Sequence, residues 1–234
     1  MLILALDASG HTAGAALVTE EKVIAELTLN CGYTHSRTLM KLADDIVQLS
    51  DIELCDIDYV ACTSGPGSFT GLRIGAACAK GLAMGLGKKM VNVSALDVLA
   101  YNVVKTSGYI ASIMDARRGE VYAAVYEWAE GNTLTRVSDY IADKIEVVAG
   151  IAKEKYGDVT FAGDGTVPHR EFLLHEGFNI APLGHILQRP SGLGALAVKR
   201  VLAGDAESVI NARDFKLFYI RKPQAEREME RKNV

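Results

Sequence analysis

The apolar positions of this chain fall first into short aliphatic runs and only later into helical spacing. Residues 2–6, 13–19 and 22–29 are such runs, broken by Asp7-Ala8-Ser9-Gly10 and by Glu20-Glu21, and they predict three consecutive antiparallel strands. From Leu39 the pattern changes. Leu39, Met40, Leu42, Ala43, Ile46, Val47 and Leu49 cover about half of a helical wheel, wider than the single stripe a surface helix needs. One side of such a helix can face a sheet while the other awaits a partner.

Residues 59–63 predict a fourth strand, and the turn from Ser64 to Gly71 leads into a second helix that Ser68 or Thr70 could cap. Within that helix Gly71, Gly75, Ala79, Ala83 and Gly87 recur at every fourth position, so small residues line one face and another backbone can come close. A glycine inside a helix costs up to about 1 kcal/mol relative to alanine, so the row implies a packing reason. A strand at 90–93 and a helix at 96–104 complete the order β-β-β-α-β-α-β-α. Strands at 109–114, 120–128 and 133–137, a helix at 144–156 and a strand at 159–162 then read as a shorter copy. A helix at 190–202 carries Pro190 in its first turn, and the mixed-charge residues after Pro223 read as a solvated tail returning toward the first half. The predicted organisation is a first half over 1–105, a smaller second half over 106–205 and a C-terminal segment over 206–234.

Composition narrows the function classes. With 234 residues and 49% of them apolar, the chain can bury a sizeable core, and its formal net charge of −4 gives no global positive field for a polyanion. RNA contact by this chain alone should therefore be weak, and a partner would have to supply the basic surface. Cys31, Cys55, Cys62 and Cys78 form no Cys-x-x-Cys pair, and three of the four lie in apolar stretches, the usage of buried free thiols in a reducing compartment. The apolar start is short, uncharged and followed at once by Asp7, unlike a signal peptide or a membrane span. A cytoplasmic protein with no membrane contact is expected.

Four constellations could carry chemistry. The stretch from Thr63 to Gly75 frees the backbone at a strand-to-helix turn, where amides and a helix N-terminus could hold an anion; it equally suits a tight turn feeding a close-packed helix, and no lysine follows as in a phosphate loop. Asp7-Ala8-Ser9-Gly10-His11-Thr12 sits between the first two strands, either as an Asx turn or as the place where sugar kinases and Hsp70-like ATPases set an acid and hydroxyls beside phosphates. Asp115-Ala116-Arg117-Arg118-Gly119-Glu120 concentrates charge in a hairpin, as a partner-contacting surface or as self-pairing solvated charges. The histidines, His11, His35, His169, His175 and His185, contain no His-x-x-x-His pair, so a metal site built on helical spacing has no ligands. His35 reads as an N-terminal helix residue.

The run Ser64-Gly-Pro-Gly-Ser-Phe-Thr-Gly-Leu-Arg-Ile-Gly75 resembles the signature of the TsaB (YeaZ) family. Leu4-Ala-Leu-Asp-Ala-Ser9, His35-Ser36, Asp115-Ala-Arg-Arg-Gly-Glu-Val-Tyr122, Ala162-Gly-Asp-Gly165 and Tyr219-Ile-Arg-Lys-Pro-Gln-Ala-Glu-Arg227 follow in the family's order. The resemblance implies an α/β fold of two ribonuclease-H-like halves, as in actin, Hsp70 and sugar kinases (the ASKHA fold), with the second half shortened. It implies a non-catalytic subunit with no metal or cofactor of its own, which pairs as a heterodimer with the TsaD-like transferase that installs threonylcarbamoyl on a tRNA adenosine. A TsaE-like ATPase joins them, ATP is expected at a joint interface with that ATPase, tRNA is met only through the complex, and self-pairing into a homodimer is expected when the chain is alone.

The transferase relatives carry a metal-binding His-x-x-x-His beyond the equivalent glycine helix, and the matching positions here, counted without gaps, are Ala95 and Leu99. In the family the first two helices form a bundle with the partner's equivalent pair. The implied interface is His35, Leu39, Leu42 and Ile46 on the first helix, with Ser68, Phe69, Thr70, Gly71, Arg73, Gly75 and Ala79 on the second. Asp7, Ser9, Thr12, Asp115, Arg117 and Arg118 are the candidate surface for nucleotide or the ATPase. Two other classes stay open: a small-molecule kinase of the same fold, which would use Asp7 and Ser9 for Mg-ATP, and a glycoprotease-like hydrolase, which would need a metal or nucleophile.

Overall fold

A computed structural model describes residues 1–103, 108–129 and 133–221. In chain order the elements are β1 (Leu2–Asp7), β2 (Ala13–Thr19), β3 (Val23–Leu29), α1 (His35–Leu49), β4 (Tyr59–Gly65), α2 (Phe69–Leu86), β5 (Lys89–Ser94) and α3 (Ala95–Tyr101). There follow β6 (Tyr109–Asp115), β7 (Glu120–Ala129), β8 (Thr133–Arg136), β9 (Ile141–Lys144), α4 (Ile145–Lys155), β10 (Val159–Ala162), α5 (Arg170–His175), β11 (Asn179–Ile180), α6 (Pro190–Leu202) and β12 (Val209–Ile210).

Two sheets result, ordered β12-β5-β4-β1-β2-β3 and β11-β10-β6-β7-β8, with β9 also paired to β7. Each begins with an antiparallel hairpin, β1-β2 or β6-β7, and adds parallel strands on the far side of its first strand. The repeated order is that of two ribonuclease-H-like halves. The second is shortened, ending in a two-residue strand.

Each face of the first sheet meets a different set of helices because its strands are apolar on both sides. On one face Leu39, Leu42, Ala43 and Ile46 of α1 and Ala76, Ala79 and Ala83 of α2 pack against Leu4, Leu6, Leu17 and Cys62. On the other face lies α6, whose Leu193, Ala197 and Val198 meet Ile3, Ala5, Ala16 and Val18. Gly194 makes that approach possible, since a Cβ there would stand 2.5 Å from Val18 Cγ2. Residues 190–202, assigned from sequence to the second half, thus complete the core of the first.

α3 joins the halves. Its Leu96, Leu99 and Ala100 pack with Ile110, Met114 and Tyr126 of the second sheet. Asp97 on the same helix accepts hydrogen bonds from Tyr126 Oη at 2.8 Å and from Arg200 Nη2 at 2.8 Å, so β7, α3 and α6 meet at one carboxylate.

Several boundaries differ from the sequence reading. α1 starts at His35, four residues before the apolar spacing that begins at Leu39, because its first turn is polar. β9 occupies residues 141–143, which were unassigned, and Lys144, which was read as the start of a helix; α4 follows it directly, so four residues pair without a period long enough to read. α5, β11 and β12 are shorter than any periodic signal. α3 ends at Tyr101; residue 104, placed in that helix from sequence, and the charged segment after Pro223 lie outside the described residues. Of the cysteines only Cys62 is buried; Cys78 is half-buried and Cys31 and Cys55 are exposed, since their segments turn at the surface. Among the described residues no helix is long and apolar enough to cross a membrane.

The glycines of α2 divide into two kinds. A Cβ on Gly71 would lie 2.1 Å from the Ala8 carbonyl oxygen, whereas one on Gly81 would meet nothing within 4 Å. Gly71→Ala should cost about 1–3 kcal/mol in urea unfolding through forced backbone shift, and Gly81→Ala should stabilise by up to about 1 kcal/mol through helix propensity. Equal effects at the two positions would contradict this packing.

Candidate functional site

The turn between β4 and α2 is held by close backbone approaches. Gly67, at φ 154°, packs onto the Ser9 carbonyl, and Ser68 N–H donates to that oxygen at 2.7 Å. Gly65, at φ 128°, packs against the Phe218 carbonyl, while Phe218 N–H donates to Ser64 O at 2.8 Å. Ser68 is the N-cap of α2, its Oγ accepting from Gly71 N–H at 3.3 Å. The alternative cap, Thr70, lies inside the first turn.

Around this turn the two halves leave a cleft of about 610 Å³, within the size range of small-molecule sites. The β1-β2 hairpin contributes Ser9, Gly10 and His11, the glycine turn Gly67 to Thr70, and the β6-β7 hairpin Asp115, Ala116 and Arg117. Tyr33, Tyr122, Asp164, Tyr219 and Arg221 complete the wall. Arg221 bonds Glu120 and the Ala142 carbonyl, and Tyr219 packs on Phe69 with ring centroids 5.4 Å apart. Residues 215–221 therefore run as a strap from the first half to the second.

Polar groups on the cleft floor are unusually dry. Asp7 is fully buried; its Oδ1 accepts from Ser9 N–H at 2.7 Å and Thr63 Oγ1 at 3.1 Å, while Oδ2 has no well-formed partner. Burial pushes its carboxyl above the usual carboxylate range, and the bonds from Ser9 and Thr63 oppose that rise. Asp164 follows the glycine Gly163, whose φ of 115° brings its backbone onto Ile113 O. Burial raises Asp164 to about 6, opposed by the hydrogen bond from Asp115 N–H at 3.2 Å. His35 Nε2 donates to Gly10 O at 3.0 Å, which leaves its Nδ1 buried and unpartnered. Gln188 is fully buried beside Gly10, at a spacing that a Cβ would violate.

The structure brings together Ser9, Asp115 and Arg117 of the expected nucleotide or ATPase surface. Asp7 and Thr12 are buried beneath them, Thr12 Oγ1 donating to Gln188 O at 3.4 Å, and Arg118 is exposed. Asp164, Gln188, Tyr33, Tyr219 and Arg221 were missed as site residues. The glycines flanking Asp164 in Ala162-Gly-Asp-Gly165 and the run from Tyr219 to Arg227 were the local signals; Tyr33 and Gln188 acquire their place only by long-range folding.

The expected partner face needs correction. Leu39, Leu42 and Ile46 are buried against the sheet, as are Gly71, Gly75 and Ala79, so the small-residue stripe serves the chain's own β1 and β4. Of these, Leu39, Ile46 and Ala79 are fully buried and Leu42 keeps only 6% of its surface exposed. α1 exposes Met40 and Leu49 among the polar Ser36, Arg37, Lys41, Asp44 and Gln48, and α2 exposes Thr70, Arg73, Ala77, Gly81, Met84 and Gly85. His35 is half-buried at the cleft, Phe69 is half-buried under the Arg73 guanidinium at 3.8 Å, and Ser68 and Thr70 stay exposed at the start of α2.

A family model described as "TsaD: tRNA N6-adenosine threonylcarbamoyltransferase" matches residues 30–211. The tRNA threonylcarbamoyladenosine biosynthesis protein TsaB of Bacillus subtilis is 37% identical over 74% of this chain and 75% of its own length. That of Escherichia coli is 34% identical over 70% of this chain and 72% of its own. The chain belongs to the TsaB (YeaZ) family. YeaZ from Pseudomonas aeruginosa superposes with a TM-score of 0.76, covering 94% of this chain and 99% of that one at 23% identity, which supports the shared TsaB fold.

The Asp164 carboxyl sets a pH dependence on this TsaB-family core. Its folded value near 6 lies above the ordinary 3.8, so the folded state binds the proton more tightly than the unfolded chain. The resulting stability is present in full below about pH 4 and is lost as pH rises through about 6. A two-unit rise corresponds to roughly 3 kcal/mol as an upper figure. Asp164→Asn, which keeps an acceptor for Asp115 N–H, should shrink the difference in unfolding free energy between pH 5 and pH 7.5; an unchanged difference would assign it to other groups.

Proposed function

We propose that this chain is a non-catalytic subunit in the biosynthesis of threonylcarbamoyladenosine in tRNA. It pairs with a TsaD-like transferase through the exposed sides of α1 and α2 and helps recruit a TsaE-like ATPase through the β6-β7 hairpin. The curated relatives carry the pathway assignment in their names. Ala95 and Leu99 carry the subunit assignment. Where the resemblance implies metal-binding histidines in the transferase, this chain has two fully buried apolar residues on α3 that serve its own core. Neither has a lone pair to offer a metal.

The pairing face follows from what remains uncovered. α2 presents Ala77, Gly81 and Gly85 without bulky side chains beside Met84, which is 53% exposed, and α1 lies alongside with Met40 and Leu49. Small residues let a second helix approach closely while the methionines and leucine supply apolar area. In the partner's absence the same face supports self-pairing, an isologous contact between two copies. Contact with tRNA runs through the complex, in keeping with the chain's net charge of −4.

Co-purification with the TsaD-like protein of the same organism, followed by a tRNA modification assay omitting each subunit in turn, tests the assignment. The pair should form, and modification should depend on this chain while this chain alone modifies nothing. Met84→Glu should weaken pairing at least tenfold with unchanged unfolding behaviour, because it places a charge in a desolvated helix contact. Turnover by the isolated chain would overturn the non-catalytic reading, and full pairing of Met84→Glu would move the interface elsewhere.

A further inference from the structure

The exposed side of α2 carries a charge that its own chain leaves unanswered. Thr70, Arg73, Ala77, Gly81 and Met84 follow one another along that side, and the helix contains no aspartate or glutamate, although the whole chain is acidic with a net charge of −4. The other cation of α2, Lys80, is used internally, its Nζ donating to the carbonyls of Arg213 and Phe215 at 3.5 and 3.3 Å. On α1 alongside, Lys41 pairs with Asp45 at 3.1 Å. Arg73 makes no hydrogen bond or ion pair among the described residues. Its guanidinium stands 3.8 Å over the half-buried Phe69 ring, which Tyr219 backs at 5.4 Å. Arg37 of α1 is placed over Tyr33 at 5.2 Å, but that ring is itself 60% exposed and holds its arginine less firmly.

We propose that Arg73 is the charged anchor of the pairing face and takes a carboxylate from a helix of the transferase-like partner, which crosses α2 over Ala77 and Gly81 and sets an apolar side chain against Met84. The inference rests on the pairing proposed above and adds to it the chemistry of the partner's surface. Stacking on Phe69 confines the arginine before any partner arrives, so less rotamer freedom is lost on binding. The ring occupies a face of the guanidinium and leaves its N–H edge free for the two parallel bonds that a carboxylate accepts. Met84 lies roughly 16 Å further along the helix axis, and the small residues between let a second helix approach closely. An RNA phosphate would offer the same charge as a carboxylate. The uncharged run of Ala77, Gly81 and Met84 beyond Arg73 suits a protein helix and not a polyanion.

Titration calorimetry of the full-length chain with the TsaD-like protein of its organism tests the anchor. Arg73→Gln should weaken pairing by about tenfold or more, and Arg73→Glu, which sets like charges against each other, should weaken it further. Arg37→Gln removes the same charge from the neighbouring helix and should have a much smaller effect. Both Arg73 variants should unfold in urea as the unaltered chain does, because the side chain is exposed. Raising sodium chloride from about 0.05 to about 0.5 M should weaken pairing of the unaltered chain more than that of Arg73→Gln, a difference that a mere change in the packing of α2 would not produce. Pairing indifferent to Arg73→Gln, or weakened as much by Arg37→Gln, overturns the anchor and leaves the pairing itself standing; if tRNA binding by the assembled pair falls instead, Arg73 belongs to an RNA contact. Arg73→Glu pairing no worse than Arg73→Gln overturns the carboxylate. A chain that does not pair at all overturns both this inference and the reading beneath it.

Discussion

Everything near the cleft depends on three places where backbone meets backbone with no side chain between. Gly65, Gly67 and Gly71 press against the carbonyls of Phe218, Ser9 and Ala8 respectively, so one short turn touches the C-terminal strap and the first hairpin at once. Gly65 and Gly67 also hold positive φ values that L side chains rarely adopt. The dipeptide spacing leaves no freedom to slide. It sets where α2 begins, and with it the cap at Ser68, the direction of the helix N-terminus and the position of Phe69 under Arg73 and beside Tyr219.

That constraint also explains the dry carboxylates. Bringing the turn onto Ser9 excludes water from the end of β1, where Asp7 must take its hydrogen bonds from Ser9 N–H and Thr63 Oγ1. On the other side of the cleft Gly163 brings β10 onto Ile113 O and leaves Asp164 bonded through Asp115 N–H. Each half thus places a buried acid at the cleft, Asp7 at the end of β1 and Asp164 just after β10. Desolvation raises both, and in neither case does a cation stand close enough to reverse it.

Much of the fold was legible because its signals are local. Runs of four to seven aliphatic residues between turn residues mark β1, β2, β4, β5 and β6, and a helix as long as α1 or α2 shows its spacing plainly. The site was legible only where a motif advertised itself, at Asp7, Ser9, Asp115 and Arg117. Gln188 sits in ordinary local sequence and reaches Gly10 beside the cleft across more than a hundred residues. The glycine row of α2 is a packing device, and Gly71, Gly75 and Ala79 in it pack on the chain's own core. Periodicity reports that one helix face is special; whether it meets the chain's own sheet or another protein depends on which side the sheet lies, and that is a tertiary fact.

α6 has a consequence for how the molecule comes into being. Leu193, Ala197 and Val198 cover Ile3, Ala5 and Val18, strands made at the very start of synthesis. Until residue 202 has emerged, the part of this face that α3 does not reach through Val98 stands bare, and a nascent chain carries that apolar surface through the making of the entire second half. The halves are therefore repeats in topology yet not independent folding units. Contacts this distant in sequence are slow to form, so folding should wait on the chain's last quarter rather than proceed half by half.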